Sequence, residues 1–227
     1  FASSACVYPS LPEYSFVTLY SDGSKTSDGA CREQDAGHPD SPYGAEKLFS
    51  EVAYDSYARN YGMDCKVGRF HNVFAEYGTW RGGREKAPAA ICRKVIQAKN
   101  SGKHEIEIWG DGQQTRSFTF IDDCVEGILR LTKSDYREPL NIGSDEMVSM
   151  NEMMRMALEL SGHANGLAIK HIPGPEGVRG RNSDNTLIFE KLGWAPSVTL
   201  ADGLRLTHAW IKEKIDVDVR VQGADAV

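Results

Sequence analysis

Apolar positions along the chain change their period several times, and the changes mark element boundaries. Residues 1–8 read as the end of a buried strand running into a loop. Residues 9–40 are rich in Ser, Asp, Gly and Pro and sustain no period, which predicts a long surface loop. A helix is predicted from Ser41: its hydroxyl suits an N-cap and Pro42 suits the first helical position. Phe49, Ala53 and Tyr57 then recur at four-residue spacing, widened by Leu48 and Val52, until Gly62 ends the pattern. Downstream, 64–70, 105–109, 116–121, 138–143 and 167–173 read as strands. Helices are predicted over 88–99, 122–133, 150–162 and 200–215, the third opened by a Ser149/Glu152 capping box. The tail from 216 has weak patterning and is expected to fray.

Strands alternating with helices predict an α/β fold with a largely parallel sheet. A hydrophobic content of 41% and a charged content of 26% are those of a globular chain able to bury a sizeable core. The net charge of −6 argues against a nucleic-acid surface, though a few local arginines could still hold an anionic ligand. Cys6, Cys31, Cys65, Cys92 and Cys124 are scattered, form no CxxC, and suit a reducing cytosol better than a disulfide framework or a metal site. No apolar run approaches the ~18 residues of a membrane helix. The expectation is therefore a cytoplasmic protein with no nucleic-acid, membrane or metal partner.

Three stretches could carry chemistry. In "YGAEK", Tyr43 and Lys47 stand at i and i+4 and share a helix face. An ammonium beside a phenol favours the phenolate, which can take the proton of a sugar hydroxyl while hydride leaves the carbon. The spacing alone is common, but here it sits on a capped helix downstream of a strand ending in Ser3 and Ser4. "GTWRGGREKAP", 78–88, is either a solvated loop or a mobile one that carries Glu85 and Lys86 over a ligand. "GPEGVRGRNSDN", 174–185, has a G-x-x-G-x-x-G spacing, but Glu176 and Pro175 are wrong for a pyrophosphate loop. Its Arg179 and Arg181 are either phosphate forks or surface salt bridges. Cys6 reads as a small buried hydrophobe or as a proton shuttle, and His71 and His171 as core or loop histidines.

The strings "SSACVYP", "YGAEK", "GRFHN", "GTWRGGREKAPAAICRK", "WGDGQQTRSFTFIDDCVEGILRLTKSD" and "EPLNIGSDEMVSMNEM" resemble sugar-nucleotide epimerases of the extended short-chain dehydrogenase/reductase family. The resemblance spans nearly all of 1–212. It implies a Rossmann-like fold holding NAD and a smaller α/β domain holding a GDP-sugar, GDP-mannose. The remnant of the NAD domain is expected at 1–74 and 115–145, and the sugar-nucleotide domain at 75–114 and 146–227. The family's N-terminal glycine-rich βαβ unit has no counterpart here, so the chain is expected to be the C-terminal part of such a fold. The resemblance implies catalytic roles for Ser4, Cys6, Tyr43, Lys47 and Lys86, with Ser3, Tyr43 and Lys47 beside the cofactor. It implies substrate contacts for Asn72, Glu85, Lys86, Lys94, Gln114 and Arg181, and a homodimer. The implied reaction inverts C3 and C5 through a 4-keto sugar. A related 4-epimerase or 4,6-dehydratase, and a non-catalytic binding fragment, are the alternatives.

Overall fold

A computed structural model describes residues 1–9, 30–162, 167–174 and 180–224. The elements run β1 (Ala2–Ser4), a 3-10 turn (Ala5–Val7), β2 (Ala30–Cys31), a second 3-10 turn (Glu33–Asp35), α1 (Pro42–Tyr61), β3 (Gly68–Phe70), β4 (Val73–Phe74), α2 (Ala87–Asn100) and β5 (Glu105–Trp109). They continue β6 (Thr115–Ser117), β7 (Thr119–Phe120), α3 (Ile121–Lys133), β8 (Leu140–Ile142), β9 (Met147–Ser149), α4 (Met150–Leu160), β10 (Ala168–Ile172), β11 (Gly180–Ser183), α5 (Thr186–Leu192) and α6 (Leu200–Ala224). β3 pairs in parallel with β1 and β8, β11 with β2 and β6, and β5 with β10. This is the parallel α/β arrangement that the alternation predicts.

The chain divides into two compact units. The first comprises Phe1–Val73, Gln114–Met147 and Gly177–Val198, the second Phe74–Gln113, Val148–Glu176 and Thr199–Val227. Gly177–Val198 groups with the first unit. The reason is pairing, which no apolar period announces. β11 is made of Gly-Arg-Asn-Ser, and the side chains of Asn182 and Ser183 are buried with hydrogen bonds satisfied. Asn182 Nδ2 donates to Asp145 O at 2.9 Å, and Ser183 Oγ donates to Asn185 Oδ1 at 2.9 Å. Ile188 of α5 then joins Cys124, Leu131, Leu140 and Ile142 in one core cluster.

α1 is capped as predicted, with Ser41 Oγ accepting from Gly44 N at 3.1 Å. Its apolar stripe, however, faces outward: Phe49, Val52 and Tyr57 are all exposed. The inward face carries Gly44 and Glu51. Burial of Glu51 is possible because Arg69 of β3 meets it with two parallel bonds, Nε to Oε1 at 3.0 Å and Nη2 to Oε2 at 2.7 Å. Ser3 of β1 also donates to Glu51. Arg69 Nη1 reaches the Glu33 carbonyl at 2.6 Å and the Tyr8 hydroxyl at 3.2 Å. Tyr8 donates to Asn141 Oδ1 at 2.6 Å, and His71 Nε2 lies 3.2 Å from the same oxygen. Helix, sheet edge and sheet centre are therefore tied by one polar network.

In the second unit the pattern and the packing agree more closely. Ile106 and Ile108 of β5 alternate with exposed neighbours. The capping box forms: Ser149 Oγ accepts from Glu152 N at 3.1 Å, and Glu152 Oε2 from Ser149 N at 2.8 Å. α6 runs on to Ala224, past the expected end at 215. Its acidic stretch is partnered there, Asp216 by Lys212 at 2.8 Å and Asp218 by Arg81 at 2.5 Å.

Glu51→Gln leaves Arg69 buried against a neutral group. It is expected to lower unfolding stability by about 3–5 kcal/mol. A urea midpoint equal to wild type would remove the pair from its structural role. His71 is buried, and desolvation pushes its pKa down to about 4, against the opposing bond to Asn141. The unfolded chain then binds the extra proton between pH 6.5 and 4, so stability is lost as pH falls through that window. The loss should amount to roughly 2–4 kcal/mol. The stability difference between wild type and His71→Gln should shrink by that amount from pH 7 to pH 4; parallel urea curves at both pH values would contradict it.

Candidate functional site

In the first unit Ser3, Ser4, Cys6, Tyr43 and Lys47 gather around the N-terminus of α1. Gly44 follows Tyr43, and a Cβ at that position would collide with the Cys6 carbonyl. The missing side chain lets the helix start press against the 3-10 turn, which places Tyr43 and Lys47 beside the β1 end. Lys47 Nζ donates to Ala2 O at 3.2 Å and lies 5.5 Å from the centre of the Tyr43 ring and 5.1 Å from that of Phe1. The ammonium is thus held over two aromatic faces. Tyr43 is 51% exposed, so its hydroxyl is open to a ligand. An ammonium has three donors, and the one bond to Ala2 leaves Lys47 able to bind vicinal hydroxyls. The donor set fits a ribose-bearing cofactor.

Ser4 and Ser3 point to opposite faces of β1, as period-2 geometry requires. Ser4 Oγ accepts from Cys6 N at 3.1 Å and still has its proton to donate. Ser3, expected beside the cofactor, is buried and spends its hydroxyl on Glu51. Alternation along the strand turns its side chain into the interior network. Cys6 is half-buried.

Arg116 was not singled out by sequence, yet it interacts electrostatically with two of the expected residues, Arg181 and Cys6. It lies on β6 directly across from Arg181 of β11 in the parallel register. Burial first, and then the Arg181 charge, pushes the Arg116 guanidinium down to about 10, while the Cys6 sulfur acts in the opposite direction. Arg181 donates from Nη2 to Tyr8 O at 3.3 Å, but its buried Nε has no hydrogen-bond partner among the described residues. A half-buried guanidinium beside a buried one with an orphan donor is a donor set suited to an anion. The only sequence signal for Arg116 was its place two residues after Gln114. Gln114 is buried, and Asn72 Nδ2 donates to Ser117 O at 3.1 Å beside the same strand. Arg179 lies outside the described residues. His71 is a core histidine, 3.2 Å from Asn141 Oδ1, whereas His171 lies on strand β10, 2.9 Å from Asn151 Oδ1.

The second unit carries the other expected residues. Lys86 is the N-cap residue of α2, and its side chain is exposed. Glu85 turns inward: its carboxylate takes Arg93 Nη2 at 2.7 Å and Gly83 N at 2.7 Å. Desolvation raises its pKa, but these hydrogen bonds and the Arg93 charge outweigh it and hold the carboxyl below its usual range. Lys94 donates to Glu107 O at 2.9 Å and sits 6.0 Å from the Trp109 ring centre. It borders a groove of about 490 Å³ with Gln97, Ser101, Lys103, His104 and Glu107. That groove includes neither Glu85 nor Lys86, so volume alone does not mark the chemistry.

The profile of the NAD dependent epimerase/dehydratase family matches residues 1–143. GDP-mannose 3,5-epimerase 1 of Oryza sativa subsp. japonica is 55% identical over 227 residues, covering 99% of this chain and 55% of that protein. GDP-mannose 3,5-epimerase of Arabidopsis thaliana is 54% identical, with 99% and 56% covered. The chain therefore spans about half the length of these relatives. Among solved structures, the Thermotoga maritima UDP-glucose 4-epimerase with UDP-glucose aligns at a TM-score of 0.76 and 26% identity, covering 95% of this chain and 63% of its own. The UDP-glucuronic acid 4-epimerase of Bacillus cereus with UDP-glucuronic acid and NAD aligns at 0.72 and 26%, covering 93% and 60%.

The anion site makes a prediction of unusual sign. With no anion, Arg181→Met removes a like charge from beside Arg116, so the melting temperature should hold or rise. Pyrophosphate at ~100 times its Kd should stabilise wild type by about 2.7 kcal/mol and the variant by far less. A variant that melts lower in buffer yet responds fully to pyrophosphate would contradict the assignment.

Proposed function

The chain belongs to the NAD dependent epimerase/dehydratase family, and from that premise we propose that it serves the 3,5-epimerisation of GDP-mannose to GDP-L-galactose, with GDP-L-gulose as partial product. The observation that carries the reading is the cluster of Ser4, Tyr43 and Lys47 with Cys6 and the Arg116–Arg181 pair in one unit. The identity to proteins named GDP-mannose 3,5-epimerase supports the choice of sugar and centres. A dTDP-glucose 4,6-dehydratase of Streptomyces griseus is only 30% identical, which favours this reading over the dehydratase one.

NAD, when bound, accepts hydride from the sugar C4 and later returns it. Tyr43 takes the C4 hydroxyl proton, helped by the Lys47 charge, and Ser4 shares that hydroxyl. Lys47 also binds the cofactor ribose. The 4-keto sugar so formed has acidic hydrogens at C3 and C5. Cys6 and Lys86 form the acid/base pair, one for each face of the ring: one removes a proton, and the other delivers one from the opposite side. Arg181 and Arg116 hold the diphosphate, whose charge relieves their mutual repulsion. Asn72, Gln114 and Lys94 complete the substrate contacts, and Glu85 contributes from beside Lys86.

Among the described residues no helix is long and apolar enough to cross a membrane. A cytoplasmic homodimer acting toward ascorbate and cell-wall sugars completes the reading. The exposed Phe49, Val52, Tyr57 and Tyr61 of α1 support self-association.

With NAD and GDP-mannose in deuterated water, deuterium is expected at both C3 and C5. Cys6→Ser should slow that exchange by roughly 10²–10⁴-fold while hydride transfer survives. Inversion at C4 with no label at C3 or C5 would point to a 4-epimerase. Binding of GDP-mannose with neither exchange nor hydride transfer would leave a non-catalytic binder.

A further inference from the structure

The loop that precedes Lys86 is exposed at residues 81–84, yet it is fastened to α2. Gly82 and Gly83 both take left-handed backbone conformations, at φ 93° and 84°, and fold the segment back on itself. One side chain then gathers the two ends. Arg93, in the second turn of α2, donates from Nε to the Trp80 carbonyl at 3.1 Å and from Nη2 to Glu85 Oε1 at 2.7 Å. Its third nitrogen is held too, Nη1 donating to Gln97 Oε1 at 3.1 Å. Glu85 returns the hold by accepting from Gly83 N through its second oxygen at 2.7 Å. The pair is well shielded, the Glu85 side chain being 5% exposed and that of Arg93 21%. Such charge-assisted bonds are about twice as strong as neutral ones. Lys86 follows Glu85 directly, and its carbonyl accepts from Ala90 N at 3.0 Å as the helix begins. The backbone that carries its amine is therefore fastened on both sides, by the clamp before it and by the helix after it.

We propose that Arg93 is the positioning residue of Lys86, its guanidinium setting the loop geometry from which the amine acts. The proposal rests on the acid/base role given to Lys86 above. It assigns Arg93 no contact with substrate. It also gives Glu85 a task inside the protein: its carboxylate is the link between the clamp and the glycine turn.

Two measurements test the idea, and the first is independent of the reaction. The 227-residue chain is acetylated with trace acetic anhydride across a pH series, and Lys86 is compared with Lys103 by mass spectrometry. Arg93→Gln should change the Lys86 profile while that of Lys103 stays put; Glu85→Gln, which keeps the fold-neutral shape of the side chain, should change it in the same direction. Identical Lys86 profiles in wild type and a folded variant would overturn the proposal. The second measurement uses the protein with NAD and GDP-mannose. Arg93→Gln should slow deuterium exchange at C3 or C5 by roughly tenfold to a hundredfold with hydride transfer unchanged. Arg93→Lys, which cannot bridge two acceptors as a fork does, should recover only part of the loss. Equal slowing of hydride transfer and exchange would also overturn it. If wild type neither exchanges nor transfers hydride, the proposed reaction fails, and the acetylation profile still decides the role of Arg93.

Discussion

The bidentate pair of Arg69 and Glu51 is the constraint on which the first unit depends. Two charges are nearly out of water, and neither is tolerable without the other. Their partners make the pair structural as well as electrostatic. Ser3 brings β1 to Glu51, while Tyr8 and the Glu33 carbonyl bring the neighbouring turns to Arg69. Because Glu51 sits on α1, the pair decides which face of that helix meets the sheet. The same choice sends Phe49 and Tyr57 outward and presents Tyr43 and Lys47 beside Ser4. A hydrophobic stripe is non-directional and would settle loosely; a fork meeting a carboxylate has one geometry.

The site itself uses charge that has been left unbalanced. Arg116 and Arg181 face one another across adjacent strands with no carboxylate between them in the described contacts. This runs against the pairing seen at Arg69 and at Arg93, where each guanidinium has an acid partner. The contrast separates two uses of one residue type. Paired arginines hold the fold, whereas Arg116 and Arg181 have no acid partner among the described contacts, as the proposed diphosphate role requires. The Nε of Arg181 is likewise buried with no hydrogen-bond partner among the described residues.

Much of this architecture was legible. The capping residues Ser41, Ser149 and Glu152 signal helix starts by local chemistry, and they were read correctly because a cap needs only its own turn. The strand period of Ile106 and Ile108 is equally local. What escaped was non-local. β11 has no apolar period: it is made of polar residues, and Asn182 is buried through a bond to the distant Asp145 carbonyl. Arg116 carries no signal until Arg181, 65 positions away, is brought into register with it. The outward turn of the α1 stripe could not be read either, because an amphipathic pattern says that two faces differ and not which one is buried.

By itself the sequence determined the order of helices and strands, their caps, and the residue types capable of proton transfer and anion binding. Those follow from φ/ψ preference and side-chain chemistry within a few residues. Only the tertiary structure decided that Ser4 faces the site and Ser3 the interior, that Glu85 turns inward to Arg93, and that Arg116 stands against Arg181. Each of those is a contact between segments far apart in the chain, and its free energy depends on burial and partners that no window of sequence contains.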